Sequence, residues 1–194
     1  DAHLDLVLEV DAGHALGSAG VMVRSNHETL FYTGDVSFRD QTLLKGARFE
    51  DAEADVLIME TTRGGRAVPD GFSRESETGR LAAAIQEVHA RKGSVLIPVF
   101  ALGRTQEILA LLALLMAAGR LPRQPIYIGG LGRVFTEIYD LQAHRTHRHH
   151  SNLALTEALD LQVLDRRQME NMKLGAGRLF VLTSGMMNPN PAAF

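Results

Sequence analysis

The stretch Val95–Gly119, VLIPVFALGRTQEILALLALLMAAG, changes its apolar period half-way along. VLIPVF, Val95 to Phe100, is a short continuous apolar run of the kind that forms a buried strand. From about Arg104 the apolar residues instead follow a 3.6-residue period and go almost all the way round. This predicts a strand and then a helix, Arg104 to Ala118, lying deep in a core and ended by Gly119. Pro125–Gly129 (PIYIG) and the helical pattern Val134–Ala143 repeat the unit, and Leu179–Thr183 adds a last strand. Strands alternating with helices imply a parallel sheet covered on its faces, an α/β class.

Upstream the pattern is richer in strands. Leu4–Val10, Gly20–Arg24 and Leu30–Thr33 read as strands, the last two joined by the polar turn Ser25-Asn26-His27-Glu28 as a hairpin. DVLIME, Asp55 to Glu60, reads as a short buried strand ending in an acid. Glycine, arginine and proline over Thr61–Asp70 mark a loop and the best domain boundary, which divides the chain into residues 1–62 and 63–194. Beyond it, Ser73 or Ser76 caps a helix running to about Lys92, with Gly93 placed to end it.

The 194 residues are 45% hydrophobic and 22% charged, a globular composition, and the formal charge of −3 gives no general attraction for nucleic acid. There is no cysteine, so disulfides, thiolate nucleophiles and thiolate metal sites are excluded and any metal must be held by His, Asp or Glu. The apolar run Ile108–Ala118 is far short of a membrane span, and no charged-then-apolar leader opens the sequence. The expectation is a soluble, cytoplasmic protein. Asp1 in place of an initiator Met leads almost directly into a strand pattern, so the chain reads as part of a longer one.

His14 in GHALGS, Asp35 in FYTGDVS and Glu60 in LIMETT each stand at the end of a strand-like run. Strand ends on one side of a sheet converge, and a His and an Asp converging without cysteine suit zinc or another borderline metal with an open position for water. A loop histidine and two turn acids are the alternative.

GHALGS, YTGD, METT, IPVFALGRTQE and TSGM, in this order, resemble the metallo-β-lactamase-fold nucleases of the β-CASP family. The likeness is greatest to the branch that contains the mRNA cleavage and polyadenylation endonuclease and its bacterial and archaeal relatives. It covers nearly the whole chain. It implies part of a metallo-β-lactamase αββα fold followed by a β-CASP domain with a mainly parallel sheet flanked by helices, incomplete at its C-terminal end. It further implies zinc-dependent hydrolysis of RNA phosphodiesters, with two zinc ions in the intact site. His14 would ligate one zinc and the Asp35 carboxylate would bridge both. Glu60 would support a histidine acting as general acid, and glutamate at this position is more like the RNA-processing than the DNA-repair branch.

The family's His-x-His-x-Asp-His run, which supplies most of the metal ligands, is absent, as are the late histidines expected after TSGM. The chain therefore reads as the middle of such an enzyme. With only two ligands it should bind zinc weakly and not cleave RNA by itself. The rival reading is a non-catalytic β-CASP scaffold or RNA-binding subunit. Cut sheet edges would make a homodimer or aggregate of the chain unsurprising.

Arg104, near a helix N-terminus whose backbone N–H groups lack partners, suits an RNA phosphate; an ion pair with Glu107 or Glu60 is the alternative. Ser184 and Gly185 would present a hydroxyl and a close backbone approach to substrate, or else a tight turn. HRTHRHH, His144 to His150, is most simply a solvated, mobile surface segment that captures metal adventitiously or touches phosphate. Gly13, Gly17 and Gly20 do not have the spacing of a dinucleotide-binding loop, and IGGLGR lacks the lysine of a phosphate loop. IGGLGR also departs from the polar Asp-Ser-Pro type of segment common at this place in the family, and Arg63 stands where an aromatic is common.

Overall fold

A computed structural model of the chain describes residues 5–49, 52–165, 167 and 175–183. It divides into two compact units, Asp1–Val68 with His147–His149 and Pro69–Thr146 with His150–Phe194.

The first unit is built on a four-stranded sheet of order β1-β2-β3-β4: β1 Asp5–Asp11, β2 Ala19–Arg24, β3 Thr29–Tyr32 and β4 Val56–Ile58. β1 and β2, and β2 and β3, are antiparallel, whereas β4 joins β3 in parallel with Tyr32 opposite Ile58. The hairpin turn between β2 and β3 is held by Ser25, whose N–H donates to Glu28 O at 2.8 Å and whose Oγ accepts the N–H of Glu28 at 3.0 Å. Met22, Phe31, Leu43 and Leu44 are buried, and Phe49 packs edge-on against Phe31. Gly20 is required beneath this pair, since a Cβ there would lie 2.8 Å from Phe31 Cζ.

The expectation of a buried strand at Asp55–Glu60 is corrected. Val56, Leu57 and Ile58 are all exposed, although the strand forms. β4 is a strand of three residues at the edge of the sheet, bonded in it only to β3. An apolar run announces a strand but not what covers it.

The second unit holds a four-stranded, wholly parallel sheet of order β5-β8-β6-β7 flanked by helices, the architecture expected. Its elements are α1 Arg74–Ala90, β5 Val95–Val99, α2 Arg104–Ala117, β6 Ile126–Gly129, α3 Gly130–Leu141, α4 Leu155–Ala158, β7 Leu161–Leu164 and β8 Leu179–Thr183. Leu109, Ala110 and Leu112 of α2 are fully buried with Ile126, Ile128, Leu179 and Val181 of the sheet, as an all-round apolar helix requires. Tyr127 stacks on Phe180 on the opposite face of the sheet, at 5.1 Å between ring centroids.

Ser73 caps α1, accepting the N–H of Ser76 at 3.0 Å. At the other end Lys92, not Gly93, takes the left-handed conformation, with φ 59°. Gly93 supplies space, because a Cβ there would meet Val88 Cγ1 at 2.8 Å. Helix α3 starts at Gly130, one turn before the expected Val134. The short α4 and β7 were not expected. Asp140 organises their entry, accepting the N–H of Leu155 and of Thr156, both at 2.9 Å.

Candidate functional site

β1 and β3 run in the same direction, each antiparallel to β2, and β4 is parallel to β3. Their carboxyl ends therefore lie at one edge of the sheet, and the segments that leave there carry His14, Asp35 and Glu60.

The His14 loop is held through its backbone. Asp11 Oδ1 accepts the Gly13 N–H at 2.8 Å, and Ser18 Oγ accepts the N–H groups of His14 and Ala15, both at 3.1 Å. From the other side the buried Gln41 donates Nε2 to the carbonyls of Gly13 at 2.6 Å and His14 at 3.0 Å. Gly13 has φ +66°, and a Cβ there would lie 2.5 Å from Ala47 N. Ser18 was legible as the end of GHALGS; Gln41 was not, since a polar residue in a loop carries no local sign of a partner 27 positions away.

Asp35 follows Gly34, whose φ of +58° reverses the chain after β3, and its side chain is exposed. Glu60 is anchored between two loops: Oε1 accepts the Val36 N–H at 3.3 Å and Oε2 the Thr62 N–H at 3.1 Å. The Thr62 hydroxyl, then the Thr62 and Val36 N–H groups, hold the Glu60 carboxyl below its ordinary pKa, with a further contribution from the charge of His14. Neither the His14 ring nor the Asp35 carboxylate has a hydrogen-bond partner among the described residues, which leaves both available as ligands.

They do not amount to a metal site. Among the described residues no group of three or more His, Asp or Glu side chains is placed to hold an ion, and two ligands are too few for a closed zinc site.

In the second unit Arg104 is exposed and has no ion pair among the described residues. The alternative ion pair with Glu107 is not made, because Glu107 binds Arg74. The expected free amides at the N-terminus of α2 are corrected as well. Arg104 N–H donates to Leu102 O at 3.0 Å, Thr105 N–H to Phe100 O at 3.1 Å, and Gly103 N–H to the side-chain oxygen of Gln106 at 2.8 Å. Gln106, fully buried, also donates to Ala101 O at 3.2 Å and Thr136 Oγ1 at 3.1 Å, so RTQ is in large part structural. Ser184 and Gly185 lie outside the described residues.

In the histidine-rich segment His144, Arg145, His147 and His150 are exposed, as expected of a surface segment, but its middle is tied down. Arg148 is only 7% exposed and bridges Leu44 in antiparallel fashion, and His149 N–H donates to Leu43 O at 2.6 Å. His149 Nε2 lies 3.0 Å from Asp40 Oδ2. Pairing with a strand-like partner about a hundred positions upstream outweighs the polar composition.

No family model matches the chain. It is 32% identical over 192 residues to "Probable RNase MJ4" of Methanocaldococcus jannaschii, a match covering 94% of this chain and 42% of that protein. The chain belongs to the β-CASP family of ribonucleases. Two further relatives are "Cleavage and polyadenylation specificity factor subunit 3" of Dictyostelium discoideum, 39% identical over 60% of this chain and 15% of that protein, and "RNase J-like protein" of M. jannaschii, 37% identical over 62% of this chain and 28% of that protein. The chain thus spans less than half the length of these β-CASP relatives.

Proposed function

We propose that this chain is the central portion of a zinc-dependent RNA phosphodiesterase, the first unit belonging to its metallo-β-lactamase half and the second to its β-CASP domain. The observation that carries the reading is the arrival of His14, Asp35 and Glu60 at one edge of one sheet, in a chain similar over 94% of its length to a probable RNase. His14 and Asp35 would contribute two ligands to a zinc centre whose other ligands come from outside this chain. When bound, such a centre activates water toward phosphorus. Glu60, already ionised and fixed by two amides, would orient a neighbouring histidine through a charge-assisted hydrogen bond. Arg104, exposed and unpaired among the described residues, would take an RNA phosphate.

Alone, the chain should bind zinc weakly and leave RNA intact. Metal analysis after a chelator wash, paired with an RNA cleavage assay, tests this; stoichiometric retained zinc would overturn it. Reading the coding DNA on both sides tests the parent. A His-x-His-x-Asp-His run upstream and further histidines downstream are expected. Flanks without them leave a non-catalytic RNA-binding β-CASP scaffold.

A further inference from the structure

Phe38 stands 57% exposed in the loop that leaves β3, three residues after Asp35. Its ring is nonetheless anchored. Phe31, buried in the core of the first unit, meets Phe49 edge-on at 4.9 Å, and Phe49 meets Phe38 edge-on at 5.6 Å, so a row of three aromatics runs from the core to the surface. An edge-on contact takes up either the edge of the Phe38 ring or one of its faces, and at least one face is left clear of Phe49. The loop around the ring is basic. Ala47 N–H donates to Ser37 O at 2.7 Å and Gly46 N–H to Asp40 Oδ1 at 2.8 Å, which lays residues 37–40 beside 46–47. Between Val36 and Phe49 the sequence carries three cations, Arg39, Lys45 and Arg48, against one carboxylate, Asp40. That carboxylate is taken by the Gly46 N–H and by His149, whose Nε2 lies 3.0 Å away. Arg39 and Arg48 are exposed, and neither makes an ion pair among the described residues.

We propose that Phe38 is a base-stacking platform for single-stranded RNA, with Arg39 and Arg48 holding the flanking phosphates. A chain whose formal charge is −3 gathers cations here around an anchored aromatic ring, the combination that a single strand requires. Two guanidinium groups without ion pairs select a polyanion over an apolar protein surface. Ser37 N–H donates to Ala12 O at 2.9 Å, which fastens the loop to the segment that carries His14. The proposal rests on the reading of the parent as an RNA phosphodiesterase, and it adds a contact that guides the strand toward the edge where His14, Asp35 and Glu60 arrive. Every base has a face to stack, so the platform sets the path of the strand and not its sequence.

The test is titration of the whole chain into a labelled single-stranded oligouridylate, read by fluorescence anisotropy at several salt concentrations. Phe38→Ala should weaken binding about tenfold and leave the slope of log affinity against log salt unchanged, because it removes stacking and no charge. Phe38→Tyr, which keeps the ring, should bind as the unaltered chain does. Arg39→Ala and Arg48→Ala should each lower the slope by roughly 0.7. The chain has no tryptophan, so Phe38→Trp carries a single indole, whose emission should be quenched as a base stacks on it. Emission unchanged at saturating oligonucleotide, or full affinity in Phe38→Ala, would overturn the proposal. If Arg104→Ala still weakened binding in that case, the RNA reading would stand and Phe38 would be left to a protein contact. A chain that binds no oligonucleotide at any salt concentration would overturn both.

Discussion

Glu60 Oε1 accepts the backbone N–H of Val36 at 3.3 Å, so the carboxylate at the end of β4 fastens the residue that follows Asp35. The parallel pairing of β3 and β4 makes this possible, because only strands running the same way deliver their following residues to the same edge. Glu60 and Asp35 are thereby set as neighbours by a bond from the Glu60 carboxylate to the backbone beside Asp35, and not by contact between the two carboxylates.

Replacing Glu60 by Ala should leave the fold intact and free two amides. Hydrogen exchange of Val36 and Thr62 is expected to accelerate several-fold, while Gly46, whose N–H donates to Asp40 Oδ1 at 2.8 Å, serves as an unaffected control. Unchanged protection at Val36 would show that Glu60 does not hold the Asp35 loop.

Two glycines of GHALGS make a paired prediction about the His14 loop. Gly13 (φ +66°) and Gly17 (φ +81°) both have left-handed backbones, yet a Cβ on Gly17 meets nothing within 4 Å whereas one on Gly13 lies 2.5 Å from Ala47 N. Gly17→Ala should cost about 1 kcal/mol of unfolding free energy through backbone strain alone. Gly13→Ala should cost more than ~2 kcal/mol, because the Ala47 backbone must shift as well. Urea unfolding of the two variants separates these costs, and equal losses would sink the close-approach reading.

The second unit was legible almost to its strand ends because β5, α2, β6 and β8 are long or uniformly apolar, and period alone separates such elements. What escaped was fixed by non-local bonds. Residues α4 and β7 depend on Asp140, the His14 loop depends on Gln41, and the His147–His149 segment depends on Leu43 and Leu44. None leaves a periodic signature. His14, Asp35 and Glu60 were legible as residues at strand ends, but their common edge follows from strand directions that only pairing reveals. Arg104 was read as either ion-paired or free; the partner it lacks, Glu107, is taken by Arg74, 33 positions away from it.

The Asp40 loop should loosen in acid. The Gly46 N–H foremost, against the opposing effect of burial and helped by His149 and Arg48, holds the Asp40 carboxyl below its ordinary pKa. A carboxyl with a lower pKa folded than unfolded adds stability above its unfolded pKa and loses it as pH falls through the folded one. The Asp40 carboxyl resonance should therefore titrate below the ~3.9 of an unperturbed aspartate, and the Gly46 amide shift should follow it. In Asp40→Asn the Gly46 amide should show no transition in that range. A midpoint at or above the unperturbed value would remove the Gly46 and His149 contacts as its cause.

Arg104 and Arg74 stand at the starts of α2 and α1 and make opposite predictions. Arg104 is exposed without an ion pair among the described residues, so Arg104→Ala should change unfolding free energy by no more than ~0.5 kcal/mol. Arg74 faces the buried Glu107, so Arg74→Ala should cost about 1–2 kcal/mol through a carboxylate deprived of its guanidinium. Binding of a single-stranded oligouridylate, followed by fluorescence anisotropy across a salt series, should reverse the order. Arg104→Ala weakens binding and lowers the slope of log affinity against log salt by roughly 0.7, the loss of one phosphate contact, while Arg74→Ala leaves the slope unchanged. An Arg104→Ala protein with native stability and an unaltered salt slope would remove Arg104 from the RNA path. The similarity to ribonucleases would then rest, in this unit, on the buried bonds of Gln106 and Glu107 and not on contact with substrate.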